Sequence, residues 1–148
     1  MDQILISEDT KKFILDHVDD DVFTLGFHAS RYPEIDMPTV VVQIEGRQKA
    51  KNKLPSWYSN PDVIYPPHLA LEQCSSELTA AYKAKLVEGN TLVDLTGGLG
   101  VDSSCFAKQF DRVVYVERQE KLCQLAAHNF EALGLHNIET VNTDALAY

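Results

Sequence analysis

The last third of the chain alternates short β-branched runs with helical segments, and this rhythm constrains the fold more than any other feature. We predict strands at Thr91–Leu95, Arg112–Val116 and Ile138–Val141, with helices between them at Val101–Phe110 and Gln119–Leu133. Strands that alternate with helices of about 10–15 residues form parallel βαβ units with right-handed crossovers. The sequence therefore predicts an α/β fold with three parallel strands, and the short runs VVYV and LVDL suit strands covered on both faces.

The first part of the chain lacks this alternation and is predicted to be helical. Ser7 and Asp19–Asp21 are placed to begin two short helices. The segment Pro38–Lys51 contains β-branched residues that favour a strand. Asp36 as a cap and Pro38 as a first helical residue favour a helix, which is the interpretation that we prefer.

A loop rich in proline and aromatic residues is predicted at Pro55–Pro67, followed by one helix at Leu69–Val87. The apolar side of that helix is predicted to consist of Leu71, Leu78, Ala81, Tyr82 and Leu86. The predicted domain division is thus a helical region at residues 1–68 and an α/β region at residues 69–148.

Composition excludes several classes of protein. A net charge of −9 argues against non-specific nucleic-acid binding by the whole surface, although a local basic patch stays compatible with it. Cys74, Cys105 and Cys123 have no metal-binding spacing, so we expect reduced thiols, no disulfide framework and no metal site. The first ten residues lack a basic signal-peptide region, and no run approaches the roughly 18 apolar residues of a membrane helix. We expect a cytoplasmic protein with no membrane contact.

A glycine cluster follows the first predicted strand. Residues 92–102 read LVDLTGGLGVD, so Asp94 and the glycines lie at the carboxyl end of a strand, where α/β sheets bind ligands. A Walker loop requires a lysine directly after its last glycine, and the next lysine is Lys108. A dinucleotide-binding loop requires a third glycine or alanine where Ser103 stands. Both of these ligand classes are disfavoured.

Acidic residues at the strand ends favour a third class of ligand. Asp94 precedes the glycines and suits a cofactor with a charged amino group and a sulfonium, such as S-adenosylmethionine. Glu117 ends the second strand, near the spacing of about 20 residues at which an acid binds ribose hydroxyls. Asp144 follows the third strand and is placed to accept from an adenine amino group. Asp102 and Glu120 are expected to be solvated or capping acids.

These motifs resemble a known family. The stretches DLTGGLGVD from Asp94, VVYVE ending at Glu117 and NTD ending at Asp144 resemble the first three motifs of class I S-adenosylmethionine-dependent methyltransferases. The first stretch is similar to bacterial rRNA guanine-N2 methyltransferases and to the trimethylguanosine-synthase-like group. The stretch YPPHLALEQCSSELTAAYK from Tyr65 resembles bacterial methyltransferases with a THUMP-like C-terminal region. The resemblance implies a helical N-terminal region followed by the first half of a Rossmann-like methyltransferase sheet.

The resemblance also implies site residues. Glu117 would bind the ribose and Asp144 the adenine, while the methionine end would be held by Asp94, Thr96, Gly97, Gly98 and Gly100. A leading helix in such enzymes often closes over the methionine carboxylate, which makes Gln73, Ser75, Ser76 and Thr79 further candidates for cofactor binding. The alternative for these four residues is an N-terminal capping cluster.

The family's catalytic segment, an Asp-Pro-Pro-like or Asp-Pro-Ala-Arg motif after a fourth strand, is not found in the 148 residues. We therefore expect an N-terminal portion of a longer enzyme that carries no catalytic residue and has little or no activity alone.

The expected function is methyl transfer to RNA, with a guanine exocyclic amine as the expected acceptor. Methyl transfer to a small molecule or a protein, and a non-catalytic binding module, both remain open. Basic residues next to aromatic ones can hold phosphates and stack bases, so the RNA-facing candidates are Arg47, Lys49, Lys51, Lys53 and Trp57. The alternative is a solvated helix face beside a buried anchor.

Overall fold

A computed structural model describes residues 5–148. Within this range there are eight α-helices, one short 3₁₀ helix and three β-strands. The helical part contains α1 (Glu8–Asp16), α2 (Val22–Phe27), the 3₁₀ helix (Ala29–Arg31), α3 (Met37–Lys53), α4 (Pro55–Tyr58), α5 (His68–Gln73) and α6 (Glu77–Lys85). The α/β part contains β1 (Thr91–Asp94), α7 (Val101–Phe106), β2 (Arg112–Glu117), α8 (Glu120–Ala132) and β3 (Ile138–Asn142).

The three strands form one parallel sheet in the order β1-β2-β3, which confirms the predicted α/β fold. Asp94 pairs with Tyr115, and Glu117 pairs with Asn142, so the carboxyl ends of neighbouring strands lie side by side. The central strand is buried from Val113 to Val116, as expected for the VVYV run. The same expectation for the LVDL run is wrong, because β1 has a strand partner on one side alone among the described residues and Val93 is exposed. The sheet therefore presents its acidic strand ends along one edge.

The predicted helix caps form as expected. Ser7 Oγ accepts from the Thr10 amide, and the Asp21 carboxylate accepts from the Thr24 amide. The Asp36 carboxylate accepts from Thr39, and Pro38 occupies the first turn, so the ambiguous β-branched segment is helical. Capping and the fixed backbone angle of proline outweigh the strand preference of these residues.

The predicted loop at Pro55–Pro67 is wrong at its beginning, because Pro55–Tyr58 forms the helical turn α4. The carboxylate that caps this turn comes from α6. Glu77 Oε1 accepts from the amides of Ser56 and Trp57, and its Oε2 accepts from the Ser56 hydroxyl. A cap supplied from a distant part of the chain leaves no local sequence signal.

The single helix predicted at Leu69–Val87 is also wrong. The backbone is extended at Cys74 and Ser76, which separates α5 from α6. Ser76 begins α6 by accepting from the Thr79 amide. The side chain thus serves as an N-cap, which requires extended backbone and interrupts the helix.

The apolar side predicted for this region is only partly correct. Leu71 is buried, whereas Leu78 is 84% exposed, and Tyr82 and Leu86 are exposed with it. The buried face of α6 consists of Ala80 and Ala84, and α6 packs against α7. Small side chains permit close approach of two helices, so burial follows the alanines instead of the larger apolar residues.

Two buried amide side chains hold the extended segment between α4 and α5. Gln43 exchanges two hydrogen bonds of 2.9 Å with the backbone of Tyr65. Asn129, which is fully buried, does the same with Ile64 at 2.9 and 2.8 Å. These amides replace a strand partner for the buried backbone. The segment consequently joins α3 to α8, and the domain boundary at residue 68 stays a prediction.

The three cysteines are free thiols, and burial raises the pKa of each one. Because the thiolate is the reactive species, we expect Cys105 and Cys123 to react with Ellman's reagent at pH 8 at least about tenfold more slowly than a free thiol. Urea should restore the full labelling rate, because unfolding exposes the thiols. Fast labelling of Cys123 in the folded protein would contradict this expectation.

A thiol whose pKa is raised in the folded state ionises first in the unfolded state. The free energy of unfolding therefore falls as the pH rises above about 8.5.

Candidate cofactor site

The glycine loop between β1 and α7 is fixed to the end of the central strand. The Gly97 amide donates to the Val116 carbonyl at 2.9 Å, and the Tyr115 hydroxyl donates to the Gly98 carbonyl. Gly100, with φ of +95°, is the N-cap residue of α7. The loop therefore lies across the end of β2 with a defined shape.

The glycines of the loop are required for different reasons. A Cβ on Gly97 would lie 2.4 Å from the Tyr115 ring, and one on Gly100 would lie 2.5 Å from the Phe130 ring. These two glycines are therefore required by the packing of the chain itself. A Cβ on Gly98 would meet only the Thr96 carbonyl oxygen, at 3.8 Å. Gly98 has φ of +56°, a conformation that by itself favours glycine, and it lines the cleft beside open space that a ligand can approach closely.

Asp94 lies at the predicted place, at the end of β1, and its carboxylate stabilises the loop. One oxygen accepts from the Thr96 amide at 3.1 Å, and the other accepts from the Ser103 hydroxyl at 2.7 Å. Asp94 is not among the residues that line the cleft. Its carboxylate connects β1 to the first turn of α7.

Glu117 contacts the loop from the end of β2. Its Oε2 accepts from the Gly98 amide at 3.0 Å, and its Oε1 accepts from the Gln119 amide at 2.9 Å. Each carboxylate oxygen can accept a second hydrogen bond. Glu117 lines the cleft, so this remaining capacity is available to a ligand.

Asp144 lies just beyond β3, where its Oδ1 accepts from the Leu146 amide at 2.9 Å. It lines the cleft together with Thr143. Asp94, Glu117 and Asp144 therefore mark the ends of three adjacent strands, and the last two of them face the cleft.

The cleft at this edge of the sheet has a volume of about 1210 Å³. It is lined by the strand ends, the glycine loop, the start of α3 and parts of the segment from Ile64 to Ser75. Pockets for one small ligand usually measure about 300–1,000 Å³, so this cleft has room for a second molecule. The predicted site residues that line it are Gln73, Ser75, Thr96, Gly97, Gly98, Gly100, Glu117 and Asp144.

Ser76 and Thr79 do not line the cleft. Their hydroxyls lie 2.9 Å apart, and Ser76 Oγ caps α6. For Ser76 and Thr79, the structure thus agrees with the alternative, an N-terminal capping cluster of α6.

The structure corrects the set of RNA-facing candidates. Arg47 is 3% exposed and Trp57 is 2% exposed, so neither can contact a nucleic acid at the surface. Lys53 donates to the carbonyls of Leu71 and Glu72.

The other two lysines of this set differ from each other. Lys49 is paired with Glu45 at 3.3 Å, whereas Lys51 is exposed on the last turn of α3. Of the four predicted RNA-facing cations, Lys51 alone is exposed without a partner among the described residues. The other three contact backbone carbonyls or acids.

Lys83 is a charged cleft residue that the sequence motifs did not indicate. Lys83 lines the cleft, and its Nζ lies 2.9 Å from Ser75 Oγ and 3.1 Å from Asp102 Oδ2. Asp102 therefore makes an ion pair and is more than a solvated or capping acid. Nothing in the local sequence indicates a contact between α6 and α7.

The role of Gly100 can be tested by Gly100→Ala. The added methyl group would clash with Phe130 and strain the backbone, so we expect a loss of about 2–4 kcal/mol in the free energy of unfolding. Gly134→Ala is the matched control, since Gly134 also has a positive φ but nothing within 4 Å of the added atom. It should cost only about 1 kcal/mol in urea unfolding. Equal losses in both variants would show that the Phe130 contact contributes nothing.

Residues 5–148 include no group of three or more His, Cys, Asp or Glu side chains arranged to bind a metal ion. In the same part of the chain, no helix is both long enough and apolar enough to cross a membrane.

Comparison with known proteins agrees with this geometry. Residues 78–148 match the family model described as "Ribosomal RNA adenine dimethylase". No curated protein matches the chain significantly. A crystal structure described as that of a "putative methyltransferase from Porphyromonas gingivalis W83" matches with a TM-score of 0.76 and 26% sequence identity. The match covers 98% of this chain and 38% of that chain, so this chain spans well under half of that protein's length.

The parallel sheet, the glycine loop and the acidic strand ends agree with both comparisons. The chain therefore has the fold of class I S-adenosylmethionine-dependent methyltransferases, and S-adenosylmethionine is the cofactor that this family implies.

Proposed function

We propose that this chain forms the cofactor-binding part of a methyltransferase that modifies an exocyclic amino group of a purine in RNA. The observation that carries the proposal is an open cleft lined by Glu117 and Asp144, at the ends of two adjacent strands, and by a glycine loop that Asp94 holds in place. The matched family model is described as an rRNA adenine dimethylase, which supports RNA as the substrate class. The guanine amine favoured by the sequence motifs is an amine of the same chemical kind.

The residues of the cleft fit the parts of S-adenosylmethionine. Glu117 has free acceptor capacity for two ribose hydroxyls, and Asp144 is placed to accept from the adenine amino group. Thr96 and the glycines would lie along the methionine end. Asp94 supports them by fixing the loop to α7.

The chemistry requires little from the protein beyond orientation. The cofactor supplies a methyl group on a sulfonium, which is already an activated leaving group. When bound, the cofactor would supply this methyl group to the acceptor amine, with its sulfur as the leaving group and the amine's proton passing to water. The residues of this chain orient the donor and exclude water from one side of it. We assign no catalytic residue within residues 5–148.

The size of the cleft supports a large acceptor. Pro38, Val42, Pro66 and Pro67 give the lining of the cleft an apolar part away from the acidic strand ends in the sequence. A purine that reacts on its exocyclic amine must leave its stack, and an apolar wall can receive the flat base. The residues that would bind its edge are not assigned.

The test uses the full-length protein with tritiated S-adenosylmethionine and total ribosomal RNA. We expect label in RNA that is released by ribonuclease, and nucleoside digestion then separates methylated adenosine from methylated guanosine. Label in protein or in small molecules would overturn the RNA proposal. Calorimetry with S-adenosylhomocysteine tests the cofactor site, and no binding at high micromolar concentration would overturn the whole proposed function.

A further inference from the structure

Lys83 lies in the wall of the cofactor cleft, where two neighbours hold its ammonium group. Its Nζ donates to Ser75 Oγ at 2.9 Å and to Asp102 Oδ2 at 3.1 Å. Ser75 Oγ also lies 3.3 Å from Asp102 Oδ2, so the three side chains form one cluster across α6 and α7. The Lys83 side chain is 45% exposed, and all three residues line the cleft.

This cluster has unused hydrogen-bonding capacity. An ammonium group has three N–H donors, and Ser75 and Asp102 account for two of them. The third donor of Lys83 has no partner among the described residues, and Lys83 lines the cleft. Asp102 Oδ1 is buried and has no hydrogen-bond partner among the described residues. A buried carboxylate oxygen without a hydrogen bond lowers the stability of the fold. The charge-assisted hydrogen bond from Lys83 to the other oxygen offsets this loss.

The position of the cluster indicates which part of a ligand it meets. Glu117 and Asp144 lie at the ends of β2 and β3, whereas Asp102 lies two residues after Gly100, on the β1 side of the loop. Ser103, next to Asp102, donates to Asp94 at the end of β1. A cofactor with its ribose at Glu117 and its adenine at Asp144 would therefore have its methionyl end on the side of the loop where Asp102 and Lys83 lie.

The other cations of the cleft wall lie on the nucleoside side. Arg118 directly follows β2, and Lys121 lies in the first turn of α8, four residues after Glu117. Among the described cations that line the cleft, Lys83 is therefore the one at the methionyl end. That end carries one carboxylate, which matches one positively charged donor.

We propose that Lys83, positioned by Ser75 and Asp102, binds the α-carboxylate of the cofactor. The inference rests on the proposed function and adds a binding residue that the sequence motifs did not include. Lys83 is a binding residue in this scheme, and Ser75 and Asp102 are positioning residues.

Two ligands that differ in the carboxylate alone give a direct test in the full-length protein. Calorimetry compares S-adenosylhomocysteine with its decarboxylated analogue, S-adenosyl-3-thiopropylamine. Lys83→Met should weaken S-adenosylhomocysteine binding by about 10- to 100-fold, the range for a hydrogen bond between charged groups. The same variant should bind the decarboxylated analogue within about twofold of the unaltered protein.

Lys85→Met is the matched control, because Lys85 lies on the same helix, is exposed and does not line the cleft. It should leave both affinities unchanged, and thermal unfolding should confirm that both variants fold. An equal loss for both ligands in Lys83→Met would overturn the inference, as would an unchanged affinity for S-adenosylhomocysteine. Failure of the unaltered protein to bind S-adenosylhomocysteine would instead overturn the proposed function and this inference together.

Discussion

Glu117→Ala is expected to weaken S-adenosylhomocysteine binding by about a hundredfold. The substitution removes the carboxylate proposed to bind the ribose hydroxyls. It also removes the acceptor for the Gly98 and Gln119 amides, so the loop loses its support at the end of β2. Isothermal titration calorimetry of the full-length protein measures this change.

Glu120→Ala is the control for this prediction. Glu120 lies three residues further on, in the first turn of α8, and does not line the cleft. Its removal should change the affinity by less than about threefold, as expected for a surface substitution. A similar loss in both variants would indicate an effect of overall negative charge, and no loss in Glu117→Ala would remove the ribose assignment.

Arg47→Met is expected to lower the free energy of unfolding by about 3–5 kcal/mol, because unsatisfied buried acceptors cost about 1–3 kcal/mol each. The Arg47 guanidinium donates to the carbonyls of Tyr58, Asn60, Pro61 and Val63 at 3.0–3.5 Å. Burial also lowers the pKa of Arg47, which reflects the cost of holding a cation in this position. Urea unfolding followed by circular dichroism measures the change.

Lys51→Met is the matched control, since Lys51 lies one turn further along α3 and is exposed. Its effect on stability should stay within about 0.5 kcal/mol. If Arg47→Met keeps the free energy of unfolding of the unaltered protein but loses RNA binding, Arg47 would be an RNA contact and its structural role would be wrong.

Glu117 and Arg47 differ in how much the local sequence reveals about their surroundings. Glu117 was identified because strand ends and their acids follow a regular local pattern. Arg47 was misinterpreted because a helical arginine among lysines has the same sequence pattern whether it faces water or buried carbonyls. Its partners lie 11 to 16 residues away, in the segment after α4.

The glycine loop shows most clearly the difference between local sequence pattern and tertiary packing. The spacing of its glycines pointed to a ligand at all three positions. In the structure, Gly97 and Gly100 are required by the rings of Tyr115 and Phe130, and Gly98 alone adjoins free space. Ring positions on β2 and α8 decide this, and no local pattern encodes them.

The sequence by itself determined the strand–helix order, the helix caps at Ser7 and Asp36, the start of a helix at Asp19–Asp21, and the acids at the strand ends. These features depend on interactions over a few residues, which a local pattern records. Only the tertiary structure decided which face of α6 is buried, that Asp94 supports the loop, and that Lys83 joins Asp102 in the cleft. These outcomes depend on contacts between elements that are distant in the chain, where burial and hydrogen-bond satisfaction outweigh local preference.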